Sequence, residues 1–189
     1  VTDTMVMGGA GATGIEILNS AATITFNNTS IMDVGTGIDL SNNTGTFIFQ
    51  NGLTVATVDG TGILSNVGGT LVVTGAGNSV AAIGGAALDI ASTTVDMTFD
   101  TLSSTNSATQ GIRLLTVAGT GGTGGLLVTG TTTLINPTSP GIGIVATQGS
   151  FDFGTTTVDK SMSNGAAVRI LNNGGMLSVT FDDLDIGTS

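Results

Sequence analysis

The chain has 189 residues, a formal net charge of −10 and only three positive side chains, Arg113, Lys160 and Arg169. That balance leaves no basic footprint for nucleic acid and nothing to hold the chain to an anionic membrane surface. Absence of Cys and His removes disulfide staples and His- or Cys-based nucleophilic triads, and a mean hydropathy of +0.45 with 40% hydrophobic residues is unlike a charge-solvated disordered tail.

In chain order, Thr4-Met5-Val6-Met7 reads first, as a short apolar strand. A phrase then begins that keeps returning. It is Gly14-Ile15-Glu16-Ile17, then Gly37-Ile38-Asp39-Leu40, then a poor copy, Gly62-Ile63-Leu64-Ser65. It continues as Ala87-Leu88-Asp89-Ile90, Gly111-Ile112-Arg113-Leu114, Gly141-Ile142-Gly143-Ile144 and Ala167-Val168-Arg169-Ile170. The starts are spaced by 23, 25, 25, 24, 30 and 26 residues. A period in this range marks a solenoid, propeller or array.

Each phrase is followed by two more short alternating runs separated by Asn, Gly and Ser. The second runs include Ile24-Thr25-Phe26, Phe47-Ile48-Phe49, Leu71-Val72-Val73, Val95 to Phe99, Leu126-Leu127-Val128, Phe151-Asp152-Phe153 and Leu177 to Phe181. The third include Ile31 to Val34, Leu53-Thr54-Val55, Thr133-Leu134-Ile135 and Leu184-Asp185-Ile186. Strands this short need neighbours to bury their apolar side. Three strands and three turns per repeat predict an all-β, three-sided parallel β-helix of about seven coils, a single solenoid over 1–189. An antiparallel sandwich or barrel also uses short strands, but hairpins would not force one phrase to recur at near-constant spacing.

The repeated G-I-x-L phrase, the Asn that follows it (Asn19, Asn42, Asn66, Asn172) and the Gly-Thr before the second strand resemble the right-handed β-helix repeats of large secreted bacterial proteins. These are autotransporter passengers, filamentous adhesins and related surface proteins. The resemblance implies an extracellular or cell-surface rod with a structural or adhesive role, and the residues themselves, which lack Trp, Tyr, His and Cys, give no sign of catalytic activity. The resemblance also implies partners among other coils, copies of the same chain, or a host or matrix surface. Alternatives are a filament subunit stacking end to end and a carbohydrate-active β-helix lyase or hydrolase.

The candidate sites are few. The third residue of each phrase should face outward, because its neighbours face in. Stacking then sets Glu16 beside Asp39, the weak candidates for a metal, and Asp89 beside Arg113, an exposed ion pair. No cofactor is implied. Asp182, Asp183 and Asp185 are the densest acids, but no aromatic platform accompanies them. All seven Phe read as one inward stack. Lys160, near Ser161 and Ser163, reads as a solvated turn residue. Gly119 to Gly125 has no following Lys or helix and so is no phosphate loop. It should lie outside the ladders, as should Asn136 to Pro140. Thr131 to Thr133 and Thr155 to Thr157 would suit an ice-binding face only if outward Thr recurred in every coil, and the second-strand outward row does not provide it. Val1 reads as an internal position. Neither end shows a cap, so Met5, Met7, Leu184 and Ile186 are the expected self-association residues.

Overall fold

The structure is a computed structural model that describes residues 1–122, 124–172 and 175–187. Its strands all pair in parallel, each with its equivalent one coil away, in three ladders. The first ladder carries the recurring phrase. It runs through Thr13–Glu16, Thr36–Asp39, the beginnings of Ile63–Thr74 and Leu88–Thr105, then Ile112–Leu115, Ile142–Val145 and Val168–Leu171. The second ladder runs from the start of Thr23–Val34 to Leu177–Thr180. The third begins at Thr2–Met7 and ends at Asp183–Gly187. The protein is therefore a β-solenoid of seven coils, with one additional third-ladder strand before the first complete coil.

The phrase explains itself sterically. Its first residue lies under the third ladder, and a Cβ at Gly37 would fall 2.2 Å from Val55 Cγ1 and 2.3 Å from the Gly62 carbonyl oxygen. Only the smallest residues fit there. Its second and fourth residues point inward, and Ile38, Leu40, Leu88, Ile90, Ile112, Leu114, Ile142 and Ile144 are fully buried. Glu16 and Arg169 are exposed, while Asp39, Asp89 and Arg113 are half-buried, since neighbouring rungs crowd their stems. Ile170 was expected inside but is 46% exposed, and Ile15, Ile17 and Phe181 are only half-buried. These four occupy the first or last described coil, where inward residues have a neighbouring coil on one side only.

After each phrase the backbone turns through one left-handed residue. These are Asn19, Asn42, Val67, Ser92, Thr116, Ala146 and Asn172, with φ from 48° to 57°. The corner stays in the ladder: the Asn42 N–H donates to the Asn66 carbonyl at 2.8 Å and the Thr116 N–H to the Val145 carbonyl at 2.8 Å. Asn is favoured at such a φ because its side chain bonds locally. In the third coil the expected corner residue, Asn66, is displaced by one, and a β-branched Val67 takes the strained conformation.

The phenylalanines do not form one continuous stack. Phe26 and Phe49 stack at 4.9 Å near one end, and Phe153 and Phe181 at 5.4 Å near the other. From the first pair the register runs Phe49, Val73, Met97, Leu126, Phe151, and the fully buried Phe99 of the middle lies against Val128, so aliphatic side chains and Met97 interrupt the rings. Polar residues are also taken inside. Asn43 is 1% exposed, accepts from the Ser20 N–H at 2.8 Å and donates to the Ile17 carbonyl at 2.6 Å. Asn78 accepts from the Leu53 N–H at 2.8 Å and donates to the carbonyls of Gly75 and Thr98. Each stitches a corner of one coil to its neighbour, which satisfies backbone groups that a corner would otherwise orphan.

Gly119 and Gly125 lie inside the ladders, paired with Val95 and Ser150, contrary to expectation. Their lack of a side chain is the reason. A Cβ at Gly125 would meet the Ser150 carbonyl oxygen at 1.9 Å. The insertion is thus confined to the turn between them, of which Thr120–Gly122 forms a short 3-10 turn. Thr123 lies outside the described residues. Asn136 to Pro140 falls outside the strands as expected.

Candidate functional site

The outward column of the first ladder reads Glu16, Asp39, Leu64, Asp89, Arg113, Gly143, Arg169. Its acids gather toward the first coil and its arginines toward the last. Glu16 and Asp39 stand on adjacent rungs, and the Ser41 hydroxyl donates to Asp39 Oδ1. Among the described residues no group of three or more His, Cys, Asp or Glu side chains converges in a way that could hold a metal ion. Arg113 Nε donates to Asp89 Oδ1 at 2.6 Å, with the side chains 32% and 22% exposed respectively. This ion pair ties two adjacent coils, and its half-exposure keeps its contribution to about 0.2–1 kcal/mol.

Beyond that pair the column opens. Gly143 contributes no side chain, and a notch of about 170 Å³ lies over it. Arg113 and Arg169 flank the notch, Gln110 lies beside it, and Leu115, Val145 and Pro140 form an apolar wall. Gly143 has no side chain to mark this feature in the sequence. The signal was the column itself: a gap between two arginines in a chain with three cations.

Lys160 is a correction. It is not a solvated turn residue but is 7% exposed. Its Nζ donates to the carbonyls of Pro137 at 2.7 Å and Ser139 at 2.5 Å. Ser163 Oγ donates to the same Pro137 carbonyl at 2.6 Å, and Ser161 Oγ to Asn136 Oδ1 at 3.1 Å. Together these groups fasten the 136–140 insertion onto the following coil. Burial pushes the Lys160 ammonium below the ordinary lysine range. Neither serine donates to the amine, so the arrangement is a clamp on backbone carbonyls. A recess of about 550 Å³ lies beside it, bounded by the Ser161 to Gly165 turn and Ile186.

Asp183 and Asp185 face outward on the last third-ladder rung, opposite Thr155 and Thr157, and Asp182 is exposed at the preceding corner. The threonine runs belong to this ladder as well. One outward column here carries Ser30, Thr54, Ser79, Thr101, Thr131 and Thr155 in successive coils. Met5 precedes it and Asp183 follows it. These threonines stand in the third ladder and not in the second-strand row, which is why the irregularity of that row does not bear on them. The neighbouring outward column is less regular, with Ala56 and Ala81 before Ser103, Thr133 and Thr157.

At the ends, Met5 and Met7 are 72% and 67% exposed and point outward, opposite Ser30 and Met32, with Val6 between them turned in. Leu184 and Ile186 continue the inward columns of Thr156 and Val158, and Ile186 is 58% exposed. No helix among the described residues is long and apolar enough to cross a membrane. In comparisons with known proteins, no family model, no curated protein and no solved structure matches the chain.

Proposed function

We propose that this chain is a structural or adhesive segment of an extracellular, bacterial surface protein, without catalytic activity, whose partners are other solenoid coils. The observation that carries the reading is the repeating rod itself: three parallel ladders stack coil on coil, in a chain of which only 8% of the residues are charged. The resemblance of the recurring phrase to adhesin repeats supports the same reading. The test is to immobilise the chain and present matrix polysaccharides and cells. Retention without release of reducing or unsaturated sugar ends is expected, and release of such products overturns the non-enzymatic reading.

A further inference from the structure

We propose that the notch over Gly143 binds an organic oxyanion, a carboxylate or sulfate borne on a small ring, between the Arg113 and Arg169 guanidiniums. The inference goes beyond the structural reading and does not depend on it. It begins with charge. The chain has three cationic side chains and thirteen acidic ones. Lys160 is buried against carbonyls, so Arg113 and Arg169 are the two side-chain cations left to meet a ligand, and both line this one notch.

Register supplies the geometry. Arg113, Gly143 and Arg169 are consecutive in one outward column, so the arginine Cα atoms stand two rungs apart, about 9.5 Å. Two like charges so placed repel unless an anion sits between them; Gly143 puts no side chain of its own between them, and the Gln110 side chain lies over it, its Nε2 3.8 Å from where a Cβ would stand. Arg113 is held by Asp89 through Nε, which orients the guanidinium and leaves its terminal N–H groups as donors. Arg169 is exposed and forms no ion pair with a described residue. A planar guanidinium matches the two oxygens of a carboxylate or sulfate. The nearest contact a Cβ on Gly143 would make is Gln110 Cγ at 3.4 Å, so the glycine is not required by packing. Its φ is not in the left-handed range either.

The rest of the lining selects an organic anion. Leu115, Val145 and Pro140 give an apolar wall on which a ring can rest, and Gln110 supplies an amide for a hydroxyl. Long-range repulsion from the acidic chain is screened beyond about 8 Å at physiological salt, so the local pair of arginines decides the sign of the field in the notch.

The experiment titrates the chain with glucuronate, inorganic sulfate and glucose, following the Gly143 amide resonance by NMR. Glucuronate should shift it saturably, sulfate more weakly, and glucose not at all. Arg169→Gln should weaken glucuronate binding about tenfold or more, the size expected for losing one charged hydrogen-bonding partner. Gly143→Leu, which installs the residue type that Leu64 places in the same column, should block the notch by displacing the Gln110 side chain that a Cβ there would touch at 3.4 Å. Unaltered binding in Arg169→Gln, or glucose binding as well as glucuronate, overturns the proposal. Sulfate binding as tightly as glucuronate overturns the organic ligand class and leaves an adventitious ion only.

Discussion

Ile144 and Ile170 occupy the same position of the same phrase, one rung apart, yet the first is fully buried and the second is 46% exposed. Phe49 and Phe181 differ in the same way: the first is 0% exposed, with coils on both sides, and the second is half-buried in the last coil. The phrase decides which way a side chain points. Burial is conferred by the coils above and below. In a solenoid the apolar contribution of a residue is thus a nearest-neighbour quantity, and middle and terminal coils with one sequence pattern have different stabilities.

The largest expected effect exploits that contrast. Phe49→Ala removes a ring enclosed on both sides and should cost about 3–5 kcal/mol. Phe181→Ala, with its ring partly wet, should cost about 1–2 kcal/mol. Chemical denaturation of both variants checks this, and equal losses would mean that position in the stack does not matter.

Next is the clamp. Lys160→Ala leaves the Pro137 and Ser139 carbonyls without their donor and should cost about 1–3 kcal/mol. It should also raise exchange at the amides of Thr138 and Ser139. A pH dependence accompanies it. Desolvation lowers the native pKa of Lys160 below its unfolded value. Between the two values the unfolded chain holds the proton more strongly, so raising the pH through that window should increase the stability of the parent relative to Lys160→Met. Denaturation midpoints of both proteins from neutral to strongly alkaline pH check the sign.

Two smaller changes sharpen the account. Val67→Asn places at the third corner the residue that three other coils use, and Val67 is 48% exposed, so little burial is lost. Relief of the left-handed strain should stabilise the chain by about 1 kcal/mol, read as a raised denaturation midpoint. Asp89→Asn should cost about 0.2–1 kcal/mol, with the difference shrinking in high salt.

These cases also mark what was readable in advance. Inward and outward sides of the first ladder follow from alternation around Ile38, Asp39 and Leu40, so the fold and the Asp89–Arg113 pair were legible. Lys160 was not, because what buries it is the 136–140 insertion of the preceding coil, and no local pattern states that such a loop folds onto it. The inward Asn43 and Asn78 look like turn residues, and their role depends on carbonyls one coil away. Ser65, in the poor copy of the phrase, is fully buried, with its Oγ 3.0 Å from Thr93 Oγ1. Alternation shows a side chain's direction but not its hydrogen-bond partner. The notch was hidden for a related reason: it is made by an absent side chain between two rungs, and only the register brings them together.

The central claim is that inward direction is set within a coil and protection by its neighbours. Native-state hydrogen exchange of the 189-residue chain tests it most directly. The account predicts the slowest exchange at the amides of Ile63, Leu71, Ile90, Val95 and Leu114, in the middle coils. It predicts much faster exchange at Ile15, Ile170, Val179 and Ile186. Uniform protection from the first coil to the last, or terminal amides as slow as those of the middle, would contradict it.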